Sequence, residues 1–298
     1  MKIATRNTLY TDFNPNNKAQ IKVKAGEIFT VETELCSGGW LTSPDIVWRH
    51  ELEQPGNFLN CVNIEDTRPG DMLAVHILDI EPDALGYTGL EGLDTYPYAG
   101  TFFSGYSESN VKILKIEDGF IHWPNGIKIP IRPMLGCFGT AATAGRCDGA
   151  FIGEHGGNMD ASEIAAGATV YLPVNVEGGR LYLGDVHAIQ GDGEVTGWGV
   201  ECRARVTLSA DIVSPLNTLG CVFLENDDYF MSICAGGSFR EAFEKSAAGL
   251  VEFVNQRTGL AKDEIFILMG ILLKTHLTQC CYPDNPIQIC KLPKKYLW

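Results

Sequence analysis

The first 209 residues contain almost no stretch in which apolar side chains recur at the 3.6-residue period of a helix. Short apolar runs, such as residues 21–35 and 72–80, instead tend to alternate with polar residues, as in half-buried strands. Glycine-containing turns separate these runs, and Asp118-Gly119 predicts a hairpin. Residues 86–105 are rich in glycine and tyrosine, show no period, and predict a long loop. The pattern predicts a mainly β fold of packed sheets, arranged as a sandwich or a barrel, with glycine-rich turns.

The composition changes after residue 224, where helical patterns begin. Ser238 and Glu241 have the spacing of a helix capping box, an apolar stripe follows, and Gly259 lies where a helix would end. A second helix is predicted from about 262 to 274. We therefore expect a β-rich core over residues 1–209 and a C-terminal segment over residues 210–298, in which two helices pack on the core as part of one compact unit.

Charge and cysteine usage limit the partners that this chain can have. Its formal net charge of −14 disfavours nucleic acid and favours a small neutral substrate or metal cations. The N-terminal residues lack the apolar core of a signal peptide, and no apolar run is long enough to span a bilayer. Ten cysteines occur without C-x-x-C pairs, which predicts reduced thiols. We expect a cytoplasmic protein with no membrane partner.

Two glycine-rich turns carry histidine and acidic residues. The first is His155-Gly-Gly-Asn158-Met-Asp160, and the second runs from Gly184 through His187 and Asp192 to Glu194. Histidine and carboxylate side chains bind divalent metals and transfer protons. If both turns face one pocket, they suit Zn²⁺, with carboxylates left for a second, harder ion or for a general base. Alternatively, Asp160 and Asp192 cap their turns and the histidines are buried partners of backbone groups.

Other catalytic patterns are weak in this sequence. There is no G-x-S-x-G nucleophile elbow, no Walker A loop and no Rossmann fingerprint. Cys137, which lies between Gly136 and Gly139, is the cysteine whose surroundings most resemble those of a nucleophile. Its reactivity would require a lowered pKa, so a hydrolase that uses Cys137 stays a minor hypothesis.

The motifs of the two turns, in their order and spacing, resemble those of the acetamidase/formamidase family. Pro69-Gly-Asp71, Pro133-Met-Leu-Gly136 and Leu172-Pro-Val174 extend this resemblance along the chain. The resemblance implies a β-rich fold with peripheral helices, an oligomer of at least two copies, and hydrolysis of short linear amides such as formamide or acetamide to ammonia and a carboxylate. It also implies site residues, which are His155, Asn158, Asp160, His187, Asp192 and Glu194.

Within this resemblance we expect His155, Asp160, His187 and Asp192 to include the ligands of a divalent metal, which we expect to be Zn²⁺, with Ca²⁺ or Mg²⁺ as a possible second ion. Glu194 is the expected general base, and the Asn158 amide the expected support for the oxyanion.

One departure from the family pattern motivates an alternative function. Leu35 stands where such proteins usually carry an acid, unless the neighbouring Glu34 takes that place. The alternative is a non-catalytic small-molecule or metal-binding protein that retains the amidase fold.

Overall fold

The computed structural model describes residues 1–90, 109–143, 147–281 and 285–297. Over these ranges the chain is mainly β, with two helices near its C-terminus, which confirms the predicted fold class. The strands are β1 Lys2–Ala4, β2 Ile21–Val23, β3 Phe29–Glu32, β4 Leu59–Ile64, β5 Met72–Leu90, β6 Asn110–Glu117, β7 Phe120–His122, β8 Lys128–Pro130, β9 Met134–Gly139, β10 Ile152–Gly153, β11 Gly156–Asn158, β12 Thr169–Pro173, β13 Leu181–His187, β14 Glu201–Val213, β15 Val222–Glu225, β16 Tyr229–Ala235, β17 Lys274–Gln279 and β18 Ile287–Pro293. The helices are α1 Phe239–Thr258 and α2 Lys262–Leu272.

Hydrogen bonds join these strands into one large, curled and mostly antiparallel sheet. Its longest pairing is between β5 and β14, which run antiparallel from Met72 opposite Val213 to Tyr87 opposite Glu201. Strands β6 and β12 also pair with β5. The side chains between the curled parts of the sheet form a large aliphatic core, which includes Val75, Leu183 and Val206.

Strand β5 is longer than the sequence pattern indicates, because it continues to Leu90. Residues 86–90 of the predicted loop are therefore strand, and residues 91–105 of that loop lie outside the described residues. The glycines that suggested a loop instead allow neighbouring strands to approach closely. A Cβ at Gly86 would lie 2.8 Å from the Glu201 carbonyl oxygen, and one at Gly89 would lie 2.6 Å from that of Asn110. Glycine marks close backbone approach as well as turns.

The two predicted helices form and pack on one face of the sheet. Ser238 caps α1 by accepting a hydrogen bond from the backbone N–H of Glu241, and Gly259 ends the helix in the left-handed conformation with φ of 76°. Phe253 of α1 stacks on Phe223 of β15, with ring centroids 4.6 Å apart. This second apolar cluster fixes α1 on the face of β15, β16 and β18. No helix among the described residues is long and apolar enough to cross a membrane.

Strand β13 lies at the centre of the functional part of the sheet. It pairs with β4 and β9 on its two edges, its C-terminal end pairs with β14, and all seven of its residues are buried. Burial on both faces explains why its sequence does not alternate. Strand β9, from Met134 to Gly139, also lacks an alternating pattern, because all six of its residues are buried.

The packing of β13 gives a direct stability prediction for Gly184. A Cβ at this position would lie 2.1 Å from the Phe58 carbonyl oxygen, whereas one at Gly191 would meet no atom within 4 Å. We expect Gly184→Ala to lower the free energy of unfolding by about 3 kcal/mol, because the strands must separate to admit the methyl group. Gly191→Ala, the matched control, should change it by less than about 0.5 kcal/mol. Urea unfolding checks both values, and equal stabilities of the two variants would contradict this reading of β13.

Candidate active site

Three of the predicted site residues converge beyond the end of β13. Asp160 follows β11, His187 is the last residue of β13, and Glu194 lies on the loop that follows. One side-chain donor atom from each lies within 4.8 Å of the others, and all three residues are buried. Asp160 and Glu194 both have positive φ, of 44° and 43°. These strained turns direct two carboxylates inward instead of toward solvent.

A second donor group lies beside the first and contains residues that the sequence did not indicate. Cys36, Asp185 and Glu201 place their donor atoms within 4.8 Å of one another. His187 Nε2 joins the two groups, since it lies 3.0 Å from Glu201 Oε1 and 3.4 Å from Asp185 Oδ1. Glu201 joins this group because the register of β13 and β14 places it opposite His187.

The two donor groups border a cavity of about 120 Å³. A wider cleft of about 360 Å³ shares Cys36, Asn57 and Trp198 with it. The inner cavity is small enough that a compact substrate would fill it, and the cleft provides an approach from the surface. The residues that line the inner cavity are Cys36, Asn57, Asn158, Asp185, Glu194, Thr196, Gly197, Trp198, Glu201, Gln279 and Cys281.

Four buried carboxyl groups and one imidazole give the site an unusual charge balance. Burial raises the pKa of Asp160 to about 8, and the charge of Asp185 adds to this effect. Burial, together with the charge of Asp160, raises the pKa of Glu194 well above its usual range. Burial alone would lower the pKa of His187, but the carboxylates of Glu201 and Asp185 outweigh it and hold that pKa well above 6.5. Such a cluster is stable only when protons or cations compensate its negative charge.

Gln190 determines which nitrogen of His187 faces the carboxylates. Its Nε2 donates to the carbonyl oxygens of Asp160, at 2.6 Å, and Thr278, at 3.1 Å. Its Oε1 must therefore be the atom that lies 2.7 Å from His187 Nδ1, and it accepts a hydrogen bond from the Nδ1–H group. His187 Nε2 is then the nitrogen that faces the two carboxylates, and its raised pKa keeps a proton there until a cation displaces it.

Further side chains hold the acidic residues in place. Gln279 of β17 donates through Nε2 to Asp160 Oδ2 and, at 3.4 Å, to Glu194 Oε2. Asn158 lines the cavity, and its Oδ1 accepts a hydrogen bond of 3.0 Å from the Cys137 thiol. Gln279 is distant in sequence from both turns, and nothing in its local pattern indicates a role.

Two predicted site residues lie outside this cluster. His155 is buried against Phe13, with ring centroids 5.0 Å apart, and burial lowers its pKa to about 4. It precedes β11, and its ring lies in an apolar contact instead of lining the cavity. Asp192 lies at the tip of the glycine turn with 69% of its side chain exposed, 3.7 Å from His276 Nε2. The structure thus brings together Asn158, Asp160, His187 and Glu194, and offers Asp185 and Glu201 where His155 and Asp192 were expected.

The residues around Leu35, where this chain departs from the family pattern, have defined positions in the structure. Leu35 is buried in an apolar cluster with Trp40 and Tyr87. Glu34 does not line the cavity, because its carboxylate pairs with Arg203 and accepts a hydrogen bond of 3.0 Å from the Leu35 backbone N–H. The next residue, Cys36, supplies the side chain that this segment contributes to the cavity.

Cys137 lacks the properties of a nucleophile. It is fully buried, and burial together with the charges of Asp185 and Asp160 raises its pKa well above 9.0. We expect Cys137→Ser to keep the activity within about tenfold of the wild type, because a serine hydroxyl can donate the same hydrogen bond to Asn158. A steady-state assay, combined with mass mapping after iodoacetamide treatment, checks this expectation. Activity loss that tracks alkylation of Cys137 would restore the cysteine hypothesis.

Comparison with known proteins gives a consistent result. A family model described as the acetamidase/formamidase family matches residues 2–148 and 149–224. A formamidase of Methylophilus methylotrophus is 27% identical over 63% of this chain and 60% of its own length. A putative formamidase of Schizosaccharomyces pombe is 23% identical over 69% of this chain and 64% of its own length. The chain thus spans less than two thirds of either relative.

Solved structures resemble the whole chain. The crystal structure of a predicted acetamidase/formamidase from Thermoanaerobacter tengcongensis superimposes with a TM-score of 0.88 at 28% identity, covering 99% of this chain and 96% of that one. An acetamidase from Bacillus halodurans superimposes with a TM-score of 0.85 at 26% identity, covering 99% of this chain and 98% of that one.

Proposed function

Because the chain belongs to the acetamidase/formamidase family, we propose that it hydrolyses short linear amides to a carboxylate and ammonia with the help of a divalent metal ion. One observation carries this proposal, namely that the donor atoms of Asp160, His187 and Glu194 converge and that Glu194 lines a cavity of about 120 Å³. Formamide and acetamide are small and neutral, which suits a small cavity in a protein of net charge −14.

The donor set suits a metal ion. Asp160 Oδ1 and Glu201 Oε2 are buried and have no hydrogen-bond partner among the described residues. Gln190 holds the Nδ1 proton of His187, so Nε2, between the carboxylates, is the nitrogen that a cation would bind once it displaces the Nε2 proton. Asp160 and His187, whose donor atoms converge with that of Glu194, would hold Zn²⁺ together with Glu201, which lies 3.0 Å from His187 Nε2. Asp185, with Cys36, offers donors for a second ion such as Ca²⁺ or Mg²⁺. When bound, the metal would lower the pKa of a water molecule and polarise the amide carbonyl.

The chain's own residues would position the substrate and transfer the proton. Glu194 lines the cavity, and its raised pKa makes its carboxylate a stronger base than an exposed glutamate. It would accept a proton from the attacking water and return it to the leaving nitrogen. Asn158 lines the same cavity, and its carboxamide N–H group would donate to the oxygen that becomes negative. Burial of both groups keeps bulk water from weakening these interactions.

The direct test combines metal analysis of the purified protein with ammonia release from formamide, acetamide and propionamide. We expect a bound divalent ion and turnover that falls as the acyl group outgrows the cavity. Metal-free protein that hydrolyses amides at the full rate would refute the metal requirement. If the metal-bound protein released no ammonia from any of the amides, the proposed hydrolase activity would be refuted.

The burial of Leu35 in an apolar cluster, where the family usually carries an acid, keeps one alternative open. A protein that binds a small molecule or a metal, and no longer hydrolyses amides, would have the same fold and cavity. Isothermal titration with acetamide separates the two functions, because a binding protein would give a stable complex and no ammonia, with the wild type and Glu194→Gln binding alike.

We also propose that the protein is cytoplasmic and works as a homo-oligomer without nucleic-acid or membrane partners. The cysteines that the structure describes are present as thiols, as expected in a reducing compartment. Phe266, Ile267 and Ile271 of α2 are between 67% and 77% exposed, and a second copy could cover them. Size-exclusion chromatography with light scattering tests the oligomer, and a monomer at micromolar concentration would contradict it.

A further inference from the structure

Two cysteines lie opposite each other at one end of the β15–β16 pair. Val222 pairs with Ile233, so the next step of the ladder places Cys221 opposite Cys234. Opposed residues of antiparallel strands point to the same face of a sheet. Both cysteines belong to the apolar cluster beneath α1, and the Cys234 sulfur lies 3.8 Å from the carbonyl oxygen of Gly220, the residue before Cys221.

This arrangement suits a disulfide. Opposed residues of antiparallel strands have Cα atoms about 4.5 to 5.5 Å apart, which lies within the range of about 4.4 to 6.8 Å found across disulfides. The register places both side chains on the same face, so a covalent bond between Cys221 and Cys234 requires side-chain rotation and little backbone movement. Neither cysteine lines the cavity of the candidate active site.

The two thiols differ in access and charge. Cys234 lines a surface pocket of about 340 Å³ together with Lys245, whereas Cys221 is 1% exposed. The Cys221 thiol and the ammonium of Lys245 lower the pKa of Cys234, whereas burial and the carboxylate of Glu241, which pairs with Lys245 at 2.7 Å, raise it. The Cys221 thiol donates to the Lys245 carbonyl oxygen at 3.5 Å, and the neighbouring Cys234 thiol together with burial raises its pKa. Although only 6% exposed, Cys234 is therefore the thiol that combines access from the pocket with the lower pKa.

We propose that Cys221 and Cys234 form a redox-active dithiol site that a peroxide oxidises to an intramolecular disulfide. The Cys234 thiolate attacks one peroxide oxygen, the O–O bond breaks, and Cys234 becomes a sulfenic acid while hydroxide leaves. The Cys221 sulfur then attacks the Cys234 sulfur, the S–O bond breaks, and the Cys221 proton leaves with the hydroxyl group as water. Two thiols are oxidised by two electrons in all, and one hydrogen peroxide is reduced to two waters.

The test is peptide mapping of the wild-type protein under non-reducing conditions after hydrogen peroxide treatment. We expect a cross-linked peptide pair that contains Cys221 and Cys234, with a mass about 2 Da below that of the two reduced peptides, and its reversal by dithiothreitol. Because this readout uses the intact wild-type chain, it does not depend on the stability of any variant. Recovery of Cys221 and Cys234 as separate thiols, or of Cys234 only as a sulfinic acid, would overturn the proposal.

Variants separate the attacking thiol from its partner. Cys221→Ser should leave Cys234 as a sulfenic acid, detectable with dimedone, whereas Cys234→Ser should leave Cys221 unreacted. Cys290→Ser is the matched control, since Cys290 is buried in the same cluster and should not affect the link. Lys245→Gln should slow Cys234 oxidation by roughly three- to tenfold, because it removes the charge that favours the thiolate. An unchanged rate in Lys245→Gln would remove the assigned role of the lysine.

Discussion

Replacing Glu194 with glutamine is expected to lower the rate of ammonia release from formamide or acetamide by about a thousandfold. The glutamine amide has nearly the size of the carboxylate, so it can occupy the same place beside Gln279 and the cavity. It cannot accept a proton from water at neutral pH, and general acid–base catalysis is lost. The decrease should appear in kcat, with KM little changed, because Glu194 is proposed to act on the proton and not on ground-state binding.

Asp192→Asn is the matched control for this prediction. Asp192 lies two residues before Glu194 on the same glycine turn, but its side chain is 69% exposed and Glu194 is buried. Its neutralisation should leave kcat within about threefold of the wild type. If the two variants lose activity equally, the turn acts through its conformation and Glu194 is not the base. If only Asp192→Asn is inactive, the acid at the tip of the turn enters the site in the working enzyme.

Metal removal is expected to make stability depend steeply on pH. The pKa of Asp160 rises from 3.8 to about 8 on folding, so between these values the folded protein holds a proton that the unfolded chain has lost. Stability then falls as pH rises through this window. His187 acts in the same direction above 6.5, because its pKa is raised. His155, whose pKa falls from 6.5 to about 4, acts in the opposite direction below 6.5. Between pH 6.5 and 8, therefore, Asp160 and His187 both lower the stability as pH rises, and His155 does not oppose them.

In that window the chelated protein should lose about 2 kcal/mol of stability for each proton that the fold retains, or roughly 4 to 8 °C in Tm. Added Zn²⁺ should remove the loss, because the ion replaces protons and binds more tightly as pH rises. Calorimetry with EDTA and with Zn²⁺ checks both curves. Asp160→Asn should flatten the EDTA curve, since the amide does not titrate. A Tm that rises with pH in EDTA, or that does not respond to any divalent ion, would refute a cation-dependent acidic cluster.

The redox prediction and the amidase proposal can fail separately. The dithiol of Cys221 and Cys234 lies beneath α1, outside the cavity that Glu194 lines. Loss of the disulfide in a variant should leave ammonia release unaffected, and loss of Glu194 should leave the disulfide intact. Ammonia release therefore reports whether a cysteine variant is intact, and disulfide formation reports whether a Glu194 variant is intact.

The amino-acid sequence alone determined the fold class and indicated four of the residues that the structure brings together. Apolar residues that alternate with polar ones between glycine turns predict strands, and the capping box of Ser238 and Glu241 predicts the start of a helix. Asn158, Asp160, His187 and Glu194 lie within two short motifs, so the sequence indicated them as site candidates on the condition that both turns face one pocket. The structure places donor atoms of Asp160, His187 and Glu194 within 4.8 Å of one another.

Only the tertiary structure decided which other residues join the site. Glu201 reaches the site through the register of β13 and β14, and Gln279 reaches it because β17 passes beside the loop of Glu194. Contacts between residues so far apart in sequence follow from strand pairing, which no local pattern encodes. The same reason applies to Asp192 and His155, whose local motifs resemble those of ligands. Packing turned one toward solvent and the other against Phe13, because a side chain's direction depends on the neighbours that the whole fold provides.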